Sequence, residues 1–156
     1  MRRDGHSQNA GFSLLEVVLV MAILVTFAAI ALPRYADAVV RHQADLAAQR
    51  VVTDLDQAQS FAKTTSAACT VSFSVATEEY QLIGVPSFDG GSGDYSVNLS
   101  LDPYDAKLVS ADLGGDSQVV FDGWGMPDSG GTIVVSSGNV QKTVVIDGDT
   151  GQVSIQ

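Results

Sequence analysis

Glycine is missing from most of the first half of this chain. None occurs between Phe12 and Ile83, and that stretch holds a single proline, Pro33. Thirteen of the 15 glycines and the other three prolines lie from Gly84 onward. Both residues punctuate regular structure, glycine by its freedom at positive φ and proline by its locked φ and missing N–H. Their absence predicts one long helix, and their return predicts a β-rich head cut by loops. Cysteine is as scarce: Cys69 stands alone, so no intramolecular disulfide can form, and it reads as a small core hydrophobe opening a strand. There are two histidines, His6 near the start and His42 within the predicted helix. No histidine pairs with a serine or with Cys69 in a recognisable nucleophile–base pattern, so the chain is read as a non-enzyme needing no cofactor. Positive charge is thin, with eight Lys and Arg against 18 Asp and Glu and a net charge of −10. From Thr65 onward only Lys107 and Lys142 face 12 acidic residues, from Glu78 to Asp149. Such a head repels phosphate backbones and anionic headgroups, so no nucleic-acid partner is expected.

What is present is a long apolar run. Residues 12–32 are apolar except for Ser13, Glu16 and Thr26, and Pro33 closes the run. Twenty-one residues are about enough to cross the hydrocarbon core of a bilayer. A cleaved secretory signal would use Arg2 and Arg3 as its basic tip and Ala29-Ile30-Ala31 as its cleavage site. A plain anchor fits the length equally well. Neither reading explains Glu16, because a carboxylate at membrane depth costs ~2.5–3.5 kcal/mol on insertion scales.

The residues Gly11-Phe12-Ser13-Leu14-Leu15-Glu16, followed by the apolar run and Pro33, resemble the class III signal of type IV pilins and type II secretion pseudopilins. In that family a membrane peptidase cuts after the glycine, and the new N-terminal residue, commonly Phe, is N-methylated. The resemblance implies a cut between Gly11 and Phe12, methylation of Phe12, an assembly role for Glu16 and a helix kink at Pro33. A simple helix stop is the other reading of Pro33. The chemistry is intelligible by itself. Cutting before Phe12 creates an α-amino group with a pKa of about 8, a cation at neutral pH. On a helix starting there, Phe12 and Glu16 are four residues apart and share a face. The first turn also favours negative charge through the helix dipole. Glu16 can therefore lean toward its own amine before assembly and pair with a neighbour's amine afterwards. A buried charge is tolerable when paired and expensive when not, so such a pair can set axial register.

Beyond Pro33 the apolar positions Ala44, Ala48, Val51, Leu55, Ala58 and Ala62 step by four and three, a helical stripe with Phe61 beside it. Arg50, Asp54, Gln57 and Lys63 fall largely off that stripe. A helix over 12–63 would be about 78 Å long, with the stripe packed on the head's sheet. Strands are predicted at 69–75, 80–85, 95–101, 118–121, 132–136, 143–146 and 152–155, with 102–116 left as loop. Val71, Phe73 and Val75 share one face of the first strand. A helix followed by antiparallel strands makes the fold α+β. The expected segments are a leader over 1–11, a transmembrane and assembly helix over 12–33, its amphipathic continuation over 34–65, and a head over 66–156.

Asp54-Leu55, Ala58, Ala62, Val71-x-Phe73, Tyr80, Val120-Phe121-Asp122-x-x-Gly125 and Thr150-Gly151-Gln152-Val153 together resemble the H-type minor pseudopilins and related minor type IV pilins. That resemblance implies a structural subunit, held in the bacterial inner membrane with its head in the periplasm. Its implied partners are the prepilin peptidase and N-methyltransferase, other pseudopilins or pilins in a filament, the inner-membrane assembly platform and the lipid bilayer. Two filaments remain open: a short secretion pseudopilus, or a type IV pilus that the subunit primes for adhesion, motility or DNA uptake. Asp147-x-Asp149-x-Gly151 superficially matches a calcium loop but lacks the later glutamate, and a β-turn explains it, so no metal is expected. The acidic residues Asp89, Asp94, Asp102 and Asp105 read as solvated loop. Trp124, between Gly123 and Gly125, reads as a turn-anchoring core residue in preference to an exposed contact aromatic.

Overall fold

The computed structural model describes residues 12–86 and 94–156, in two compact units, Met1–Ala38 and Val39–Gln156. Helix α1 spans Leu14–Thr65. Ser13 precedes it and its carbonyl accepts the Val17 N–H at 3.1 Å, the first bond of the helix. The helical assignment continues through position 33. It ends where Ser66 takes φ 52°, and the Ala67 N–H returns to the Ala62 carbonyl at 3.3 Å. A left-handed residue with such a backward bond satisfies carbonyls that the last turn would leave bare.

Eight strands follow: β1 (Cys69–Ser74), β2 (Glu79–Pro86), β3 (Asp94–Asn98), β4 (Lys107–Leu113), β5 (Gln118–Phe121), β6 (Gly131–Ser137), β7 (Val140–Ile146) and β8 (Val153–Ile155). They form two four-stranded antiparallel sheets, ordered β3-β2-β1-β5 and β4-β6-β7-β8. The fold is therefore the expected α+β, with its antiparallel strands shared between two sheets.

Within the second unit the predicted stripe Ala44, Ala48, Val51, Leu55, Ala58 and Ala62 is buried, joined by Ala47. The bulk of the core comes from the strands and loops: Tyr80, Phe121, Leu82, Leu99, Leu113 and Ile133 are fully buried. Helix stripe and both sheets feed one hydrophobic cluster, and each large side chain in it contributes ~1.5–3 kcal/mol by leaving water. Cys69, Val71 and Phe73 face that core from β1, while Val75 lies beyond the end of the strand and is exposed. Phe73 pairs with Tyr80 across β1 and β2, ring centroids 5.5 Å apart.

Strand β4 lies where the sequence reads as loop. Leu108 and Leu113 both face the core although five residues separate them, an odd spacing that a period of two cannot accommodate. A register shift between Leu108 and Ser110 supplies the missing step. The bulge therefore hides the strand from a period-two search.

Candidate functional site: the apolar segment and the polar ties of the second unit

Within the first unit, residues 12–31 are apolar except for Ser13, Glu16 and Thr26. Every side chain described over 12–31 is exposed, including Phe12, Leu14, Val18, Leu24 and Phe27. Among the described residues, α1 is the one helix long and apolar enough to cross a membrane. Glu16 lies in its first turn. Ser13 and Glu16 have the spacing of a capping box, which would give the carboxylate a purely local task. No such bond forms, and Glu16 has no hydrogen bond or ion pair among the described residues. It is thus a carboxylate in an apolar segment, at the dipole end that favours it, with its pairing capacity unused. Gly11 lies outside the described residues, as does the side chain of Pro33.

The second unit holds a polar site that the sequence does not announce. Asp54, read from the helical stripe as a largely off-stripe residue, is only 2% exposed. Its Oδ2 accepts the Tyr80 hydroxyl at 2.5 Å and the Arg50 Nε–H at 3.0 Å. Arg50 also lies over the Tyr95 ring, 5.7 Å from its centroid. Burial pushes the Asp54 carboxyl up from its usual value, opposed by Tyr80 and then Arg50. Burial and the Asp54 charge raise the Tyr80 phenol, which stays a protonated donor. The cluster ties α1 to β2, with Arg50 and Asp54 four residues apart on one face of the helix.

Further polar ties run along the same helix. Gln43 meets the Ser137 hydroxyl at 3.1 Å, and Lys142 pairs with Asp45 at 2.8 Å. The Gln59 amide donates to the carbonyls of Gly125 and Gly151, at 2.9 and 3.3 Å. That amide joins the turn after β5 to the turn after β7.

Asp122 builds the first of those turns. Its Oδ1 accepts the N–H groups of Trp124 and Met126, and its carbonyl accepts the Gly125 N–H. Gly125 has φ 77°, and the Lys63 side chain lies where a Cβ would stand. Trp124 is 84% exposed, the reverse of a core anchor. The turn is fixed by Asp122 and backbone, so the ring is not needed to hold it.

Asp147 forms the second turn, accepting the N–H groups of Thr150 and Asp149, which hold its carboxyl below the usual range. No group of three His, Cys, Asp or Glu that could hold a metal occurs among the described residues. Cys69 is buried, as expected, and burial pushes its thiol up.

A family model described as "Type II transport protein GspH" matches residues 47–150. A second, "Prokaryotic N-terminal methylation motif", matches residues 6–32, which span Gly11, Phe12 and Glu16. The fold is similar to crystal structures of the Pseudomonas aeruginosa (strain PAO1) type IV minor pilin FimU. In one crystal form the identity is 13% and the TM-score 0.53, covering 74% of this chain and 90% of that one. In another the values are 14% and 0.51, covering 72% and 91%. At such identities the likeness carries the fold alone. No curated protein matches the chain.

Proposed function

From the premise that this chain belongs to the GspH family of type II transport proteins, we propose that it is a structural minor pseudopilin of a type II secretion system. The observation that carries the reading is the family match over 47–150, with the methylation motif falling on the apolar segment that contains Glu16. The mechanism is assembly, not catalysis. The prepilin peptidase cuts between Gly11 and Phe12 and the Phe12 amine is methylated. The segment 12–33 holds the subunit in the bacterial inner membrane, with the head in the periplasm. The platform then moves it into a short pseudopilus, where segment 12–33 exchanges lipid for the like segments of neighbouring subunits. Glu16, unpaired among the described residues, meets the Phe12 amine of a neighbour and fixes axial register, because an unpaired charge in that setting is penalised. Pro33 loosens the helix where membrane segment and head segment meet.

The fold likeness to a type IV minor pilin favours a second reading, a subunit that primes a pilus. Intact mass of the membrane-extracted protein tests the shared part. A chain beginning at Phe12 with one added methyl group is expected, and a chain beginning at Leu32 would overturn both readings. Deletion of the gene separates them. Retention of exported proteins in the periplasm supports the pseudopilin, and loss of surface pili with secretion intact supports the pilin.

A further inference from the structure

At the C-terminal end of α1 the turns after β5 and β7 lie together. A Cβ on Gly114 would meet the Ser129 side chain, and one on Gly130 would meet the Gly148 backbone. Gln59 bridges Gly125 and Gly151, and Gly123 lies against the Ser66 backbone at the end of α1. The turns after β5 and β7 therefore adjoin each other at the C-terminal end of α1. Trp124 and Met126 stand exposed in the first of them. The two turns that Gln59 joins carry Asp122, Asp147 and Asp149, all exposed. Lys63, on the last turn of α1, is the cation at this end.

We propose that this end of the head docks a protein segment presenting arginine or lysine side chains, with Trp124 as its anchor. A tryptophan brings 150–250 Å² of surface, and in water that area is left unused. The backbone that carries it is held from three sides, by Asp122, by Gln59 and by the Lys63 stem over Gly125. A large aromatic on a preorganised support, with a polar rim around it, is the anatomy of an interface hot spot. The rim selects the partner. Carboxylates around an indole face favour a cation laid on the ring, and they repel an acidic segment. Asp149 has no side-chain hydrogen bond among the described residues, so it is free to meet that cation.

The inference stands apart from the filament reading, since processing at Phe12 and binding at Trp124 are measured separately. The test uses the full chain in zwitterionic detergent and penta-arginine amide as probe. Trp124 is the only tryptophan, so its emission reports this site alone. A saturable emission change is expected with penta-arginine and none with penta-glutamate. By calorimetry, Trp124→Ala should weaken binding by about fivefold or more, the range of a partly desolvated cation–π contact. Trp124→Phe should recover part of that loss, and thermal unfolding should be unchanged in both. Equal affinity in Trp124→Ala would reduce the binding to bulk charge and overturn the proposal. Asp149→Asn should weaken binding severalfold, and full affinity there would overturn the choice of a cationic partner.

Discussion

Helix α1 contains two apolar stretches that differ in what they have to pack against. Residues 14–31 are apolar almost all round, and each is exposed. The stretch from Ala44 to Ala62 is apolar on one stripe, and that stripe is buried by two sheets. The all-round pattern requires a surrounding apolar medium, lipid or other helices, whereas the stripe requires one partner surface from its own chain. The contrast extends to their carboxylates. Asp54 is buried with two donors in place, and Glu16 has none among the described residues. One head is complete within the chain, while the other stretch awaits partners.

The largest expected effect falls on the incomplete stretch. Glu16→Ala should be processed at Phe12 normally yet drop out of filaments, read as subunit recovered with sheared pseudopili against the membrane fraction. Wild-type incorporation by that variant would break the comparison at its root. Next comes one substitution made in both stretches. Leu55→Ala should cost ~2–5 kcal/mol in urea unfolding followed by circular dichroism, because Leu55 is 1% exposed. Leu24→Ala, at an exposed site, should leave that unfolding within ~0.5 kcal/mol. Equal costs would mean the two stretches are not energetically distinct. Tyr80→Phe removes one donor from the Asp54 carboxylate and should cost ~1–3 kcal/mol, with Arg50 retained as its partner.

The smallest effect is a slope with pH. Burial lifts the folded Asp54 pKa above its unfolded value of about 4. Its contribution to stability is therefore full below that unfolded value and is lost as pH rises through the folded one. Wild-type stability minus that of Asp54→Asn should fall as pH is raised from the acid range toward neutrality. A difference that grows with pH would reverse the sign and discard the desolvated carboxyl.

Much of this comparison can be read in the residues. The stripe from Ala44 to Ala62 is legible because a period of 3.6 survives tertiary packing unchanged. Strand β5 has the bounds that its apolar run suggests, and β1 ends one residue short of its expected end. Strand β4 is not legible, since its bulge breaks the alternation that reveals strands. Asp54 is not legible either. Its burial depends on Tyr80, 26 positions away, and no local pattern encodes that meeting. Trp124 reads wrongly for a related reason. Large aromatics are usually buried, but Asp122 and Gln59 hold this turn without the ring.

By itself the sequence determined the composition of the assembly segment: an apolar run broken by Glu16, four residues after the Phe12 at which the resemblance places the cut. Covalent order and helical period suffice for that, because both act over one or two turns. Tertiary structure alone decided which polar groups are enclosed and which apolar ones are left in water. Enclosure depends on strands far apart in the chain converging on α1, and so Asp54 lies inside the head and Trp124 outside it.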